Sequence, residues 1–386
     1  MHFYCVIGAN YGDEGKGLVT DHLANKIVNE DKESCIVLLN NGGAQRGHTV
    51  IRDGKRHVFH HFGSGTMLGV PTFITCNFIT NPMIFMNEYH ELESLDIKPS
   101  VYISNFSRIT TPFDMIINQI TSTFLGKHDT CGVGIWETIR RGDTHDIGWY
   151  TKNLDICYKD YMEKRYDTLI DDIIASLKAK NCKDLSGLED MFKSYMKNID
   201  KDGLIEHFKS DLIEMNKIRN NHFVNFTSDH DFALQCRGMF ENVIIENGQG
   251  LLLDWHYDPE FGTPSLTGAA GPYRYLNSIY NIKEYDTVNL CYVTRSYLTR
   301  HGDGDFPEEV VEEYYNDSTN VTNPNQGKIR FGRLNYNELI DRANKDSANC
   351  KYPHYKYLYI THRQKYQYNS DLTKNFKKVY LLPFND

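Results

Sequence analysis

The sequence of 386 residues predicts an α/β fold, in which a central, largely parallel sheet is flanked by helices in a P-loop-like nucleotide-binding fold with a helical insertion. Three observations lead to this fold class. Strand and helix patterns alternate up to about residue 126, a glycine-rich turn follows the first strand, and the stretch 155–240 repeats apolar and charged residues at helical spacing. We therefore expect a single domain over 1–386, with a helical subdomain inserted at 155–240.

The elements follow from local apolar patterns. The apolar run from Phe3 to Ile7 predicts the first strand, and the amphipathic segment after it predicts the first helix. Further along the chain, the patterns predict strands at 35–39, 56–60, 72–76 and 100–104, and helices at 17–28, 82–92 and 113–124. Strand character returns at 242–246 and 287–294, and we expect these late strands to rejoin the first sheet.

Composition and charge limit the possible functions. A net charge of -9 and a pI near 6.0 argue against a general nucleic-acid or membrane-surface binder. No apolar run reaches the roughly 18 residues of a membrane span. The nine cysteines are scattered without a CxxC pair, which indicates reduced thiols. His60 and His61 lack an i, i+4 partner, so we expect strand residues and not metal ligands. A cytoplasmic protein that binds neither nucleic acid nor membrane is expected.

The stretch GANYGDEGKG, at residues 8–17, carries the strongest functional signal. A strand, a tight turn and a helix start leave backbone N–H groups unpaired at the positive end of a helix dipole, which makes an anion site. The Walker pattern fails at Asn10 and Gly17, and the dinucleotide fingerprint fails because the glycines are spaced in the reverse sense. A nucleotide site must also account for the two acidic residues, Asp13 and Glu14.

Four further glycine-bearing segments accompany this loop. They are NNGGAQRGHTV (40–50), DTCGVGIWETIRRGD (129–143), ENGQGLLLD (246–254) and GTPSLTGAAG (262–271). Together with the first loop they resemble the adenylosuccinate synthetase family. Gly12 to Gly17 match the family motif G-D-E-G-K-G at all six positions, and Gly47 to Thr49 match its G-H-T. The segment TRHGDGDFPEE (299–309) matches seven positions of the family's T-R-x-G-x-G-x-F-P-x-E.

The resemblance implies a reaction that explains the acidic residues. Family members phosphorylate the 6-oxo group of a purine nucleotide and then displace the phosphate with the amine of L-aspartate. By position, Asp13 would be the general base for the N1 proton and would ligate Mg²⁺ together with the carbonyl of Gly47. Lys16 would neutralise the transferring phosphoryl group, and His48 would donate a proton or hydrogen bond to the developing charge. Mg²⁺ and an NTP are the implied cofactors.

The other site residues follow from the same resemblance. The positions implied to bind nucleotide are Gly12, Glu14, Gly15, Gly17, Gln45, Thr49, Thr130, Cys131, Arg140, Gln249 and Thr267. Thr267 would hold the 5′-phosphate, and Arg140 would reach the phosphate site of a neighbouring subunit, which implies a homodimer with shared active sites. The dianionic aspartate needs fixed positive charge, which Lys328, Arg330 and Arg333 would supply.

Departures from the family pattern affect the choice of substrates. Where the family selects GTP with a Lys and an Asp two residues apart, this chain has His362 and Gln364, so ATP becomes a plausible donor. By comparison with the family, the chain also ends early, after KVYLLPFND. Both features resemble the phage branch that makes a 2-aminoadenylosuccinate nucleotide from dGMP. Asp13 favours hypoxanthine, because that branch commonly carries a smaller residue there.

Three hypotheses follow. The leading one is a Mg²⁺-dependent, NTP-driven ligase that joins L-aspartate to a purine nucleoside monophosphate, IMP or dIMP. The alternative within the same class uses GMP or dGMP, and the alternative of another class is a catalytically silent purine nucleotide sensor. A sensor does not need Asp13, Lys16 and His48 together, which favours an enzyme. Cys131 is not expected to be a nucleophile, because no nearby signal supports a lowered thiol pKa.

Overall fold

The computed structural model describes residues 1–126, 130–144, 159–218, 224–254, 266–302, 304–310 and 327–382. The strands are β1 (His2–Gly8), β2 (Cys35–Leu39), β3 (His48–Arg52), β4 (Lys55–Phe59), β5 (Thr72–Ile74), β6 (Ile79–Thr80), β7 (Val101–Ser104), β8 (Arg108–Ile109), β9 (Val224–Thr227), β10 (Asn242–Gly250), β11 (Thr287–Arg295), β12 (Leu298–His301), β13 (Glu309–Val310), β14 (Ile329–Gly332), β15 (His354–Thr361) and β16 (Lys378–Leu381). The helices are α1 (Lys16–Asn25), α2 (Pro82–Ser94), α3 (Pro112–Leu125), α4 (Ile135–Thr144), α5 (Lys159–Asp167), α6 (Leu169–Ala179), α7 (Leu188–Met196), α8 (Lys201–Ile218), α9 (Asp229–Met239), α10 (Ala270–Tyr275), α11 (Tyr336–Ser347) and α12 (Ser370–Asn375).

Nine strands form the central sheet, in the order β16, β15, β11, β1, β10, β2, β5, β7, β9. Every neighbouring pair is parallel, which confirms the predicted largely parallel sheet. β10 and β11 lie on either side of β1, so the two late strands rejoin the first sheet as expected. Because parallel strands end at the same edge, the loops that follow β1, β2, β10, β11 and β15 meet there.

The sheet is buried on both faces. In β1, Val6 belongs to one apolar core, whereas Cys5 and Ile7 belong to the other. β10 alternates in the same way, with Ile244 in the first core and Ile245 in the second. A strand that is covered on both faces consists of consecutive apolar residues, which is why these runs show no polar alternation.

One predicted strand lies outside the central sheet. The strand predicted at 56–60 corresponds to β4, which pairs antiparallel with β3 in a two-stranded hairpin that the sequence analysis did not predict. Asp53 and Gly54 form the turn, with φ of 52° and 75°. Positive φ at both central residues is typical of the tight hairpin turn that an Asp-Gly pair favours. The Asp-Gly dipeptide was therefore the available signal for this hairpin.

The stretch 155–240 is mostly helical where the structure describes it, with α5 to α9; residues 155–158 and 219–223 lie outside the described part. It also contributes β9, which pairs with β7 at one edge of the central sheet. Within the stretch, α6 and α7 pack on α3, and α8 packs on α2. The bounds of a separate helical subdomain therefore stay a prediction. None of the helices in the described ranges is both long and apolar enough to cross a membrane.

A buried carboxylate joins the β3–β4 hairpin to α2. Glu88 is 2% exposed and accepts hydrogen bonds from the backbone N–H groups of His60 (2.9 Å) and His61 (2.6 Å). Burial alone would raise the pKa of Glu88, but the imidazoles of His57 and His61, each 3.6 Å from a carboxylate oxygen, outweigh burial and bring the pKa to about 2. His60 and His61 directly follow β4 instead of lying within it. Glu88 thereby fixes the hairpin that begins at His48.

We expect Glu88→Ala to lower the free energy of unfolding by about 3 kcal/mol, because the substitution leaves buried N–H groups without an acceptor. Urea unfolding measures this loss. Glu91→Ala on the same helix is the matched control, since the Glu91 side chain is 68% exposed, and it should cost less than about 1 kcal/mol. An equal loss in both variants would contradict the bracing role of Glu88.

Candidate active site

The loop between β1 and α1 is folded around its own acidic residue. The Glu14 carboxylate accepts hydrogen bonds from the backbone N–H groups of Asn10 (3.0 Å) and Gly12 (2.8 Å) and from the Lys16 ammonium (2.7 Å). Glu14 is 1% exposed and Lys16 is 3% exposed. The carboxylate therefore lies in the interior of the loop, and a contact between Glu14 and a nucleotide would have to use its backbone.

Left-handed backbone conformations shape this loop. The φ angles are 99° at Gly12, 56° at Asp13 and 89° at Gly15. Glycine adopts such angles freely, and Asp is among the few other residues that tolerate them. α1 begins at Lys16 without a side-chain cap among the described residues. Its first N–H groups therefore remain available to an anion.

Asp13 and Lys16 differ in exposure. The Asp13 side chain is 35% exposed, and its Oδ2 lies 3.3 Å from Nε2 of His301. The backbone carbonyl of Asp13 accepts a hydrogen bond from Nε of Arg295 (2.5 Å). Lys16 pairs with Glu14, but an ammonium group has three N–H donors and can keep this pair while it contacts an anion. Asp13, the predicted base, is therefore accessible to solvent, whereas Lys16, the residue predicted to contact the phosphoryl group, is buried in the loop.

Gly17 brings His48 to the start of α1. A Cβ atom at Gly17 would lie 2.9 Å from Cβ of His48 and 3.1 Å from Oγ of Ser64, so a larger residue would push these groups away. This close approach sets the G-H-T segment against the loop between β1 and α1 (residues 9–15), here called the phosphate loop because it is predicted to bind phosphate. Gly47, the residue before His48, is exposed. The structure therefore brings Lys16, His48 and Gly47 to one place.

His48 is held by a buried network that the sequence analysis did not identify. Its Nδ1 lies 2.6 Å from Oε1 of Glu246. Nη2 of Arg46 lies 3.1 Å from Oε2 of Glu246, and the N–H of Ser64 donates to the same oxygen (3.0 Å). Nη2 of Arg46, which only donates, lies 2.9 Å from the same Nδ1. The contact with Glu246 is shorter and an ionised carboxylate only accepts hydrogen bonds, so we assign the proton of His48 to Nδ1. Nε2 is the ring nitrogen that remains for a substrate.

Burial and charge fix the protonation states in this network. Burial alone would raise the pKa of Glu246, but Arg46 and His48 outweigh burial and bring the pKa to about 2. Burial, followed by the charge of Arg46, lowers the pKa of His48 to about 4. At neutral pH the carboxylate is ionised and the imidazole is neutral. Proton donation by His48 therefore requires an anionic ligand that raises its pKa.

Hydrogen bonds join three of the glycine-bearing segments that were predicted to form the nucleotide site. The Asn41 side chain accepts from the N–H of Gly248 (2.7 Å) and donates to the carbonyl of Leu266 (3.1 Å). The Asn247 amide donates to the carbonyl of Thr267 (3.2 Å). Segments far apart in the sequence are therefore neighbours at one edge of the sheet.

The residues predicted to bind nucleotide have different surroundings. Thr267 is fully buried, and its hydroxyl donates to the Asp254 carboxylate (3.1 Å). The Thr130 hydroxyl donates to the Asn118 side chain (2.8 Å). Gln249 is half-buried with φ of 62°. The contacts of these residues with a nucleotide remain predictions.

Cys131 lies beside the G-H-T segment. Its Sγ is 3.9 Å from the backbone carbonyl oxygen of Gln45. Burial, with the charge of Asp13 as the second cause, raises the pKa of the Cys131 thiol to about 12. The thiol is therefore protonated at neutral pH, which argues against a nucleophilic role. Gln45 and Thr49, which were also predicted to bind nucleotide, are half-buried.

The two arginines of the IRRG segment have different surroundings. Arg141 is buried, and its Nε lies 3.1 Å from the Asp114 carboxylate. Arg140 is half-exposed, and it donates to the Ser176 hydroxyl (3.1 Å) and lies 5.8 Å from the ring centroid of Trp136. Arg141 therefore supports the fold. The contact of Arg140 with a second subunit stays a prediction.

A three-stranded sheet, in the order β12, β14, β13, packs on the phosphate loop. The Thr299 hydroxyl of β12 donates to the carbonyl of Gly12 (3.1 Å). The buried Arg300 guanidinium lies 4.8 Å from the ring centroid of Tyr11, and that ring meets Phe306 edge to face at 5.4 Å. The T-R-x-G-x-G-x-F-P segment therefore supports the loop that carries Asp13.

The residues predicted to bind aspartate lie on or beside this small sheet. Arg330, in β14, pairs with Glu309 (2.9 and 2.6 Å) and donates to the carbonyls of Gly302 (3.2 Å) and Gly304 (2.8 Å). Lys328 and Arg333 are exposed. Arg330 is thus engaged in holding its own loop, and the charges of Lys328 and Arg333 are accessible to a dianionic substrate.

The positions expected to select the donor base follow β15. His362 is buried in a left-handed conformation with φ of 45°, and Gln364 is exposed in the next short turn. The Thr361 hydroxyl donates to the carbonyl of Glu14 (2.6 Å). The end of β15 therefore contacts the phosphate loop directly.

Sequence reasoning missed four residues that hold the site: Arg46, Glu246, Arg295 and His301. Glu246 ends the apolar run of β10 before a glycine loop, and this position at the carboxyl end of a parallel strand was the available signal. The other three gave no local signal. Arg46 contacts Glu246, and Arg295 and His301 contact Asp13, only because segments that are far apart in the sequence meet in the fold.

We expect Gly250→Ala to destabilise the protein by about 2 kcal/mol and to weaken nucleotide binding. Its Cβ would lie 2.5 Å from the backbone nitrogen of Gly12 and 2.6 Å from Oε1 of Glu14, and overpacking of this kind costs about 1–3 kcal/mol. The matched control is Gly238→Ala in α9, where a Cβ meets nothing within 4 Å. Urea unfolding and calorimetric titration with ATP and GTP measure the effects. A Gly250 variant as stable as the control would contradict the close approach.

The low pKa of His48 predicts a pH effect on stability. The unfolded state binds a proton near the ordinary pKa of 6.5, whereas the folded state binds it near 4. Stability is therefore present above the unfolded pKa and is lost as the pH falls toward 4. We expect His48→Gln to reduce the loss between about pH 7.5 and pH 5 by about 2 kcal/mol, as measured by urea unfolding. The same pH dependence in variant and wild type would contradict a neutral, buried His48.

The similarity of this chain to known proteins covers most of its length. The family model described as "Adenylosuccinate synthetase" matches residues 5–328. Adenylosuccinate synthetase from Tropheryma whipplei (strain Twist) is 30% identical over 323 residues, which cover 80% of this chain and 65% of that protein. The protein of the same name from Borrelia duttonii is 25% identical over 280 residues, covering 70% and 58%. The chain thus spans less than two thirds of the length of these curated relatives.

Two solved structures share the fold. Fully ligated adenylosuccinate synthetase from Plasmodium falciparum has a TM-score of 0.65 at 21% identity, and the match covers 93% of this chain and 76% of that one. Cyanophage S-2L succinoaminodeoxyadenylate synthetase (PurZ), bound to dGMP and to dATP as an energy donor, has a TM-score of 0.59 at 11% identity, covering 98% and 91%. Because the family model matches most of the chain, the chain belongs to the adenylosuccinate synthetase family.

Proposed function

We propose that this protein is a Mg²⁺-dependent, NTP-driven ligase that joins L-aspartate to C6 of a 6-oxopurine nucleotide through a 6-phosphoryl intermediate. The observation that carries the proposal is the contact at Gly17, which sets His48 beside the start of α1. Lys16 opens that helix, and the accessible carboxylate of Asp13 precedes it by three residues. We therefore assign a base, a phosphate-binding cation and an imidazole to one anion site at the start of α1.

Asp13 acts as the general base in the first step. As O6 of the purine attacks the γ-phosphorus, the Asp13 carboxylate takes the N1 proton, the O6–P bond forms and the bond to the departing NDP breaks. In the second step the neutral amine of aspartate attacks C6, the C6–N bond forms, and the C6–O bond breaks with release of inorganic phosphate. The amine loses one proton to solvent. The 35% exposure of the Asp13 side chain supports its access to a bound nucleotide.

Lys16, His48 and the start of α1 stabilise the transferring phosphoryl group. Their positions are fixed before a substrate binds, by Glu14 for Lys16 and by Glu246 for His48. Groups that need no reorganisation at the moment of reaction give the largest electrostatic stabilisation. Because Nδ1 of His48 is engaged with Glu246, Nε2 is the atom that donates to the phosphoryl group once the ligand's charge has raised the pKa.

The chemistry of the donor set fits Mg²⁺. Asp13 offers an accessible carboxylate and Gly47 an exposed backbone, both of which are hard oxygen donors, at the mouth of the phosphate loop. No group of three His, Cys, Asp or Glu side chains that could hold a metal occurs within the described ranges. A site with only the Asp13 carboxylate and the Gly47 carbonyl suits Mg²⁺, which takes one or two protein ligands and completes its shell with phosphate oxygens and water. When bound, the ion offsets the charge of the phosphates.

For the acceptor we propose IMP or dIMP, because Asp13 keeps the full carboxylate. A second candidate, GMP or dGMP, is favoured by the likeness to the phage enzyme PurZ, which extends over 98% of this chain. His362 and Gln364 stand at the donor-base positions and favour ATP beside GTP. The dATP in the PurZ structure supports an adenine donor. Lys328, Arg330 and Arg333 are proposed to bind L-aspartate.

The proposal includes a cytoplasmic homodimer in which Arg140 reaches the phosphate site of the neighbouring subunit. Its half-exposed position on α4 supports such a contact. A catalytically silent nucleotide sensor is the alternative of another class. The accessible Asp13 argues against a sensor, since nucleotide binding alone does not require a base.

We expect an aspartate adduct when the purified protein is incubated with L-aspartate, Mg²⁺, ATP or GTP, and an equimolar mixture of IMP, dIMP, GMP and dGMP. Mass spectrometry identifies the product. Asp13→Ala should lower turnover by about 10²-fold to 10⁴-fold, the usual contribution of a general base. Asp190→Ala, at an exposed position of α7, is the matched control and should retain turnover. Nucleotide binding without any adduct would favour the sensor.

A further inference from the structure

His301 occupies a variable position of the T-R-x-G-x-G-x-F-P-x-E pattern, and neither the resemblance nor the proposed mechanism assigns it a role. Its Nε2 lies 3.3 Å from Oδ2 of Asp13. Among the described residues, no other side chain pairs with the Asp13 carboxylate. Nδ1 of His301 is buried without a hydrogen-bond partner within the same ranges. The polar contact of this ring therefore goes to the proposed catalytic base.

His301 is itself held firmly. It is the last residue of β12, and it pairs with Ile329 of β14. Two residues earlier, Thr299 hydrogen-bonds to the carbonyl of Gly12, next to Asp13. The His301 side chain is only 16% exposed. The imidazole thus approaches the phosphate loop from a paired strand and not from a flexible segment.

Asp13 needs such a partner. Its backbone is fixed, because the carbonyl is bound by Arg295 and φ is held at 56°. Its carboxylate is 35% exposed and projects from a loop that has glycine on one side of it. An exposed side chain occupies several rotamers unless a contact selects one of them. A general base must nevertheless be held within hydrogen-bond reach of the proton that it removes.

We propose that His301 is a positioning residue for Asp13: its Nε2–H binds Oδ2 and holds the carboxylate in one orientation, so that Oδ1 remains for the substrate. The inference rests on the proposed role of Asp13 as the base. It also connects the base to the aspartate-binding candidates, because the carbonyl of Gly302, the next residue, accepts from Nη1 of Arg330 (3.2 Å). The sheet of β12, β13 and β14 therefore also fixes the Asp13 carboxylate, through His301.

Steady-state kinetics of two variants test the role. His301→Val removes the donor and should lower kcat about 10-fold to 100-fold, as expected for a displaced catalytic group, with the KM of the nucleotides changed by less than about 3-fold. His301→Gln keeps an N–H donor and should recover most of kcat. The matched control is His90→Val, since His90 lies at the same 3.3 Å from the Glu93 carboxylate but at the exposed face of α2. A wild-type kcat in His301→Val, or an equal loss in His301→Gln, would overturn the proposal.

A second measurement does not depend on catalysis. In protein labelled with ¹⁵N-histidine, the signal of His301 is assigned by its absence in His301→Gln. We expect the proton on Nε2 in wild type and a changed tautomer population in Asp13→Ala. An unchanged His301 signal in Asp13→Ala would show that the contact is absent and would overturn the proposal. If wild type forms no adduct while this signal responds to Asp13, the ligase function fails and the contact stands.

Discussion

The buried ion pair between Glu14 and Lys16 is the interaction on which the site depends. Its carboxylate occupies the space between the ends of β1 and β10, where it also accepts the N–H groups of Asn10 and Gly12. Glycine is required at position 250 because a Cβ there would meet this carboxylate at 2.6 Å. The loop thus folds around the Glu14 carboxylate without needing a bound phosphate, and the N–H groups at the start of α1 remain available to a ligand.

A second buried carboxylate, Glu246, repeats this arrangement for His48. Both carboxylates lie at the carboxyl edge of the sheet, and each holds one group that is proposed to act on the phosphoryl group. Buried ion pairs contribute little net stability, because desolvation offsets the attraction between the charges. Their value here is orientation, since both groups are fixed before a substrate binds. Arg46 completes the network by keeping Glu246 ionised.

The third component is the small sheet of β12, β13 and β14. It packs on Tyr11 and reaches Asp13 through His301, so the proposed base and the aspartate-binding candidates share one support. The end of β15, which His362 and Gln364 follow, contacts the same loop through Thr361. The small sheet and the end of β15 therefore both contact the loop between β1 and α1, at Asp13 and at Glu14.

The sequence by itself determined the parallel α/β sheet and the family, because apolar runs, glycine spacing and the G-D-E-G-K-G motif are local signals. The anion site after β1 stays a prediction. It did not predict the β3–β4 hairpin, although the Asp-Gly turn is also local. Only the tertiary structure decided that Glu14 faces inward, that Glu246 binds His48 and that His301 meets Asp13. The partners of Glu14 are local, but their geometry depends on left-handed backbone angles at Gly12, Asp13 and Gly15. The other two contacts join segments that are far apart in the sequence, and the spacing of residues along the chain does not show which distant segments meet.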